Sequence, residues 1–495
     1  MGHTALMIAE RRQTWVWIGA GALLSVLMRL RMFWSPVSVD EGGFLAIARG
    51  WAHGQVLYRD VWVDRPQGLL VLFRAWDWLS GGSTASIRIM AMLFGVVLVV
   101  STALVVREVA GSNAARWAAI ICGVVSATPV LEGHSANGEL ISGAVAAAGI
   151  VVAVHAGGRH RPLLWFFSAG LLGGLALSLK QSGFDGLTAI LGWLVLRAAL
   201  CRSERRRALK SGVAMLAGLG VVIAILMLHA ALTGWARWWS AVAGYRLKTQ
   251  SAFSGSDWAN LLDTGRFAVV TLGTTAIAAL VGAFIVVRPL RSHVRARMLP
   301  ASVVLVLWVL TATGAFLVGG GFWRHYWLLL AAPLSALAGV ALSHAGRFKA
   351  IAVTALLVPC LAISGWVFVG SNATLSVRAA ADRRSPLDEQ VARWFKAHRK
   401  PGENLYVLCA SAAAYADAHQ DPGYPYLWFI EVRDAPNAQN MLVSYLGDPR
   451  LAPRYIAQYQ RASACDPSGR VDAILRQSYK RVTSIGYVVV YERTP

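Results

Sequence analysis

The stretch Ser38–Gly68 reads SVDEGGFLAIARGWAHGQVLYRDVWVDRPQG. It follows the first long apolar segment and carries two acidic points, Asp40-Glu41 and Asp64. Between them Phe44, Ile47, Ala48 and Trp51 fall at i, i+3, i+4 and i+7, which predicts a short amphipathic helix with one apolar face. Next to a membrane span, such a helix lies in the interface with that face down. Asp64-Arg65-Pro66-Gln67 then opens a second apolar run, Leu69–Leu79, too short to span and expected as an interfacial or partly inserted helix. Two carboxylate-bearing turns, a guanidinium and an interfacial helix in one loop suit chemistry at a membrane surface.

The rest of the chain is consistent with that setting. Of its 495 residues 56% are hydrophobic, and the mean hydropathy is +0.52. Charged residues make up 15%, against roughly 25% in soluble domains. Apolar runs of about 20 residues, the length that crosses a bilayer as helix, recur along the sequence. They predict an α-helical polytopic membrane protein with about 11 spans near residues 14–34, 86–106, 115–130, 139–156, 163–179, 185–200, 212–233, 265–287, 298–319, 325–343 and 350–369. The 20 Trp and 13 Tyr suit interfacial belts. The net charge of +22 would suggest nucleic acid in a soluble protein, but here the basic residues sit largely between spans and answer to topology and anionic lipid.

The basic loops set the orientation. Arg11-Arg12, Arg107 with Arg116, Arg159 with Arg161, the 202–210 and 288–297 clusters, and Arg347 with Lys349 all fall on one side. By the positive-inside rule that side is cytoplasmic. The N-terminus is then cytoplasmic, and the loops 35–85, 131–138, 180–185, 234–263 and 319–324 are extracytoplasmic, with everything after about residue 370. This predicts a multi-pass protein of the plasma (inner) membrane. A transmembrane domain, 1–370, would contain the first outer loop, and an extracytoplasmic α/β cap would span 371–495. In the cap, Leu387–His398 reads as an amphipathic helix, Leu405–Leu408 as a strand and Tyr487–Tyr491 as a late strand. Cys409 and Cys465 share this segment; outside the cytoplasm a disulfide is allowed, and the sequence leaves it open.

Each candidate residue has a bland and a functional reading. Asp40 can cap the helix that follows it, with Glu41 favoured in the first turn, or it can be a general base that activates an acceptor hydroxyl. Asp64 can cap the helix opening at Pro66, and Arg65 is either a phosphate ligand or half of a surface ion pair. Glu132, His134, Asn137 and Glu139 stand together between two spans. A divalent-cation site at Glu132 and His134 is one reading; polar contacts to a sugar and plain loop solvation are the others. Lys180-Gln181 and Arg324-His325-Tyr326 stand at outer span edges, where cations run against the positive-inside trend and ask for an anion; Arg246 and Lys248 add to them. Arg29 and Arg31 either snorkel to the outer interface or draw a phosphate there.

An Asp-Glu pair just after the first span, a short helix, a second turn ending in Pro and an apolar run before the next span resemble the GT-C superfamily of glycosyltransferases. The likeness is to the polyprenyl-phosphate-sugar-dependent members related to protein O-mannosyltransferases and the lipid A aminoarabinose transferase. The phrase RHYWLLLAAPLSALAG, residues 324–339, resembles their late-span motif of Arg-Tyr followed by Leu and Pro. The resemblance implies a sugar donor on a polyprenyl phosphate, presented from the outer leaflet. It makes Asp40 the base, with Glu41 beside it, in a transfer that inverts the anomeric centre. Such relatives usually carry Lys before two Pro in the second turn; here Arg65 replaces the Lys and Gln67 the second Pro.

These readings combine into one expectation: transfer of a mannose- or pentose-type sugar from polyprenyl phosphate to an extracytoplasmic cell-envelope glycan or glycolipid. Arg65, Lys180 and Arg324 would hold the donor phosphate. Asp64, Asn137, Glu139, Gln181, His325 and Tyr326 would contact sugar or acceptor. No nucleotide-binding fingerprint is present. The rival readings are a transporter or flippase of lipid-linked sugar, and a non-catalytic scaffold that binds one. Transporters often carry internal repeats and midplane helix breaks, whereas the polar residues here gather at one face.

Overall fold

The computed structural model describes every residue except 1, 157–160, 250–254, 291, 293–298, 381, 411 and 495. Arg159, Arg291, Arg295 and Arg297 of the basic loops therefore lie outside the described residues. All eleven apolar segments contain a helix: Gly2–Leu30, Ile87–Ala110, Ser112–Val125, Gly138–His155, Pro162–Leu179, Asp185–Leu200, Arg205–Thr233, Gly255–Val287, Val303–Gly319, Leu328–Ser343 and Lys349–Phe368. Among the described residues, seven helices are long and apolar enough to cross a membrane, and Ser112–Val125 and Val303–Gly319 are shorter apolar helices. The chain is an α-helical membrane protein. It forms two compact units.

The first unit comprises Met1–Phe33, Arg88–Leu228 and Ala252–Gly370. Helices Gly2–Leu30 and Leu328–Ser343 both pack on Ser112–Val125, and Gly138–His155 packs on Pro162–Leu179. Small residues permit the closest approach: a Cβ on Gly21 would meet the Ala119 carbonyl, and one on Gly123 would meet that of Gly21. The Leu328–Ser343 helix is mostly buried, whereas Arg205–Thr233 and Lys349–Phe368 expose long apolar faces of the kind lipid covers. Arg29 neither snorkels nor faces an outer phosphate. It is 1% exposed and donates to the carbonyls of Gly133 at 2.7 Å, Ser126 at 2.8 Å and Ser25 at 3.0 Å. A buried guanidinium must satisfy its donors internally, and the turn beyond Ser126 supplies the acceptors. Arg31 donates to the Gly370 carbonyl at 2.8 Å.

The second unit comprises Trp34–Ile87, His229–Ser251 and Ser371–Pro495. The first outer loop, which the sequence reading assigned to the transmembrane domain, thus groups with the C-terminal segment. A four-stranded sheet runs in the order β1-β2-β4-β3, with β1 Leu405–Leu408, β2 Tyr455–Gln458, β3 Tyr479–Ile485 and β4 Val488–Arg493. β1 and β2 are parallel; the remaining pairs are antiparallel. The expected helix is present as Ser385–His398. The core of the segment gathers Tyr406, Leu408, Tyr424, Leu442, Ile456 and Leu475, and a disulfide joins Cys409 to Cys465.

The first-loop helix spans Val39–Ala52, and Gln67–Leu79 forms the second expected helix. The sequence pattern predicted a helix resting on one apolar face, but Glu41 through Gly50 are all buried. Gly42 and Gly43 explain the difference. A Cβ on Gly42 would collide with Ala413, and one on Gly43 with the Trp428 ring, so the glycine face carries packed protein as the apolar face does. Arg49 closes the arrangement: it chelates Asp77 with contacts of 2.8–3.1 Å and donates to the carbonyls of Ala416 and Gly82, both at 2.7 Å.

Candidate active site

Two groups of predicted site residues emerge, one in each unit. In the second unit, the start of the Val39–Ala52 helix is capped by Ser38. Its side chain accepts from the Glu41 N–H at 3.3 Å, while the Glu41 carboxylate accepts from the Ser38 N–H at 2.8 Å. This capping box corrects the reading of Asp40 as the cap. It also gives Glu41, fully buried, a structural task. Asp40 stays partly exposed at the helix start, and its Oδ1 accepts a hydrogen bond from the Trp428 indole at 3.2 Å.

Asp64 does not cap the following helix either, whose cap is Pro66, with no side-chain bond. Its carboxylate is instead gripped by two guanidiniums, Arg65 at 2.6 Å and Arg246 at 2.5 Å. The Arg65–Asp64 pair is largely buried, not the surface pair considered from sequence. Around it, the Tyr58 hydroxyl donates to the Arg65 carbonyl at 2.9 Å, and Gln67 accepts from the Trp238 indole at 2.9 Å. These bonds fix the turn that carries both charges.

The C-terminal segment lies along the first loop. Asp421 pairs with His53 at 2.8 Å, the Pro422 carbonyl accepts from Gln55 at 2.8 Å, and the Pro425 carbonyl accepts from the Trp62 N–H at 3.0 Å. Trp428 then reaches Asp40, with its ring 5.8 Å from that of Phe44. Three residues on, Glu431 is buried, and Asp64 and Arg65 act on its charge. Burial first, then the Asp64 carboxylate, pushes the Glu431 carboxyl well above the ordinary range, partly opposed by Arg65. The sequence reading missed Trp428 and Glu431. The available signal was an acid set just after the aromatic run Tyr424–Phe429.

In the first unit, Glu139 and Lys180 form a buried ion pair. The Lys180 ammonium also lies 4.1 Å from the centre of the Tyr326 ring. His325 stands between two acids, with Nδ1 3.2 Å from Glu132 and Nε2 3.8 Å from Glu139. The Arg324 guanidinium lies over the Phe267 ring at 4.1 Å. Asn137 caps the Gly138–His155 helix, accepting from the Leu140 N–H at 2.9 Å and donating to the Glu132 carbonyl at 3.1 Å. Gln181 is partly buried just past the end of the Pro162–Leu179 helix. His134 is buried away from solvent; burial first, then Arg88 and Arg29, pushes its imidazole well below the ordinary value. Among the described residues no three His, Cys, Asp or Glu side chains form a group suited to a metal ion.

The family model for dolichyl-phosphate-mannose-protein mannosyltransferases matches residues 64–231. No curated protein matches the sequence. The structure of ArnT from Cupriavidus metallidurans bound to undecaprenyl phosphate aligns with a TM-score of 0.64 at 14% identity, covering 96% of this chain and 97% of that one. The archaeal oligosaccharyltransferase AglB from Archaeoglobus fulgidus, in complex with an inhibitory peptide and a dolichol-phosphate, aligns with a TM-score of 0.57 at 13% identity, covering 98% of this chain and 74% of that one. The likeness to GT-C superfamily polyprenyl-phosphate-dependent transferases, first carried by Asp40-Glu41 and the 324–339 motif, is thus borne out, and the chain has the fold of that superfamily.

Proposed function

We propose that the chain is an inverting glycosyltransferase of the plasma (inner) membrane. It moves a mannose- or pentose-type sugar from polyprenyl phosphate to an extracytoplasmic cell-envelope glycan or glycolipid. The reading includes eleven spans, a cytoplasmic N-terminus, and residues 371–495 outside the cytoplasm. The observation that carries it is the placement of Asp40: Ser38 and Glu41 form the cap, while the Asp40 carboxylate is partly exposed at the helix start and accepts from the Trp428 indole. The lipids named for the two structural relatives support a polyprenyl-phosphate donor.

In this scheme the acceptor hydroxyl attacks the anomeric carbon as the bond from that carbon to the phosphate oxygen breaks. The bonding pair leaves with the phosphate, Asp40 takes the hydroxyl proton, and the anomeric centre inverts. Charge builds on the departing phosphate, and Arg65 and Arg246, oriented by Asp64, are the cations assigned to stabilise it. Lys180 and Arg324 keep their assignment as outer-face cations of the helical unit, although Lys180 has Glu139 as an ion-pair partner.

The test is transfer of radiolabelled sugar from synthetic polyprenyl-phosphate donors, comparing wild type with Asp40→Asn. Loss of transfer by a factor of about 10² or more, with expression and donor binding retained, is the expected result. Unchanged transfer would sink the role of Asp40 and move the search for the base to Asp64 or Glu139.

A further inference from the structure

The Phe429–Asp434 helix puts an acid into the first-loop site that the reaction scheme above leaves unused. Glu431 is 6% exposed, and its Oε2 is buried without a hydrogen-bond partner among the described residues. The charge of Arg65 and the backbone at Leu427 and Trp428 offset part of the cost of burying this carboxyl, yet Oε2 itself stays unbonded. Such a group in a native structure asks for an explanation, and a bound ligand that supplies the partner is one. The residue is also placed with some care. Trp428 is the extended N-cap of this helix, and Glu431 stands in its first turn. Trp428 holds Asp40 through its indole N–H, and Glu431 lies in the field of Asp64 and Arg65. Tyr245, buried and packed edge-on against Trp62 at 5.1 Å, also feels the Glu431 charge. The start of one short helix of the C-terminal segment, its cap and first turn, thus addresses both acidic points of the first loop.

We propose that Glu431 is a sugar-binding residue of this site, its Oε2 forming a hydrogen bond with a ring hydroxyl of the donor sugar. The inference rests on the reading of Arg65 as a donor-phosphate ligand. The sugar is attached directly to that phosphate, so a group beside Arg65 meets ring hydroxyls before it meets anything on the acceptor. The chemistry suits a hydroxyl. A carboxyl can accept from a sugar O–H, and burial beside the Asp64 charge favours its neutral form, which can also donate to a hydroxyl oxygen. A second phosphate ligand would instead be cationic, and a proton acceptor for the reaction would be the more exposed Asp40. The aromatic neighbours Trp428, Tyr426 and Tyr245 supply apolar faces of the kind that pack against a sugar ring.

The experiment measures binding to the full-length protein in lipid nanodiscs, so that it needs no turnover. The probes are decaprenyl-phosphate mannose, decaprenyl-phosphate arabinose and bare decaprenyl phosphate. Wild type is expected to bind one sugar-bearing lipid at least tenfold more tightly than the bare lipid. Glu431→Ala should bring that preference close to one while leaving affinity for the bare lipid within twofold. Glu431→Gln, which keeps the size and one donor, should retain an intermediate preference. Unchanged affinity for the bare lipid also reports that a variant is folded. A preference that survives Glu431→Ala, or a wild type with no preference for either sugar, would overturn the inference. An intact, Glu431-dependent preference in a protein that transfers no sugar would sink the transferase reading and leave the binding residue standing.

Discussion

The Trp428 indole donates to the Asp40 carboxylate at 3.2 Å, across a sequence separation of 388 residues. The bond joins the start of the first-loop helix to the C-terminal segment, so the orientation of the expected base depends on a residue near the end of the chain. Trp428→Phe keeps a ring over Gly43 and beside Phe44 but removes the donor. A hydrogen bond to a charged group is worth about 1.5–3 kcal/mol. The variant should therefore lower the transfer rate about tenfold or more, and it should also lower the melting temperature by a few degrees. Combined with Asp40→Asn, it should add almost nothing to the loss of transfer, because the proton acceptor that the indole orients is already gone.

The close approach at Gly42 sets a second expectation. A methyl group there would overlap the backbone of Ala413 and could not be relieved by a side-chain rotation. Gly42→Ala should cost about 1–3 kcal/mol, as overpacking of a filled interior does. Gly19→Ala, in the first helix where a Cβ would meet nothing within 4 Å, is the matched control and should leave thermal stability unchanged or slightly raised. Equal melting temperatures for the two variants would contradict this packing.

The buried Glu139–Lys180 pair predicts a strong asymmetry between single and double substitutions. Lys180→Met leaves the Glu139 carboxylate without its ammonium and should cost about 3–5 kcal/mol or sharply lower the yield of folded protein. The double variant Lys180→Met with Glu139→Leu should recover most of that loss, since an apolar pair avoids the desolvation cost of two ions. Thermal unfolding in detergent checks both.

Asp417, in the C-terminal segment, gives the protein a pH-dependent stability. Burial first, then the charge of Glu389, pushes its carboxyl from the ordinary 3.8 up to about 7, against the opposing effect of Lys396 and Arg49. The folded chain therefore holds a proton that the unfolded chain has released. This contribution to stability is fully present below pH 3.8 and is lost as pH rises toward about 7. Melting temperature should fall across that window from this group, and Asp417→Asn should flatten the fall.

Much of the fold could be read directly from the chain. Apolar runs of membrane length mark themselves, because only a helix satisfies its backbone in lipid, and each of the eleven runs contains one. The 405–408 and 487–491 segments are likewise strands β1 and β4, with β4 beginning one residue later, at Val488. Local chemistry was harder to assign. Asp40, Ser38 and Glu41 are all good residues for a helix start, and only the backbone geometry decided that Ser38 and Glu41 form the box. Arg29 looked like a snorkelling cation because its sequence neighbours are apolar, while its partners at Gly133 and Ser126 lie 104 and 97 residues away.

The sequence alone determined that this chain is helical, lies in a membrane and carries an Asp-Glu first loop resembling that of GT-C transferases. Those properties follow from hydrophobic period, run length and local motif, which neighbouring residues encode. Tertiary structure alone decided which distant groups answer one another: Asp64 with Arg246, Glu139 with Lys180 and His325, Asp40 with Trp428, and Glu431 with Asp64 and Arg65. Electrostatic and hydrogen-bond partners are chosen by distances of a few ångströms in space, and helices packed side by side bring together residues that no local pattern relates.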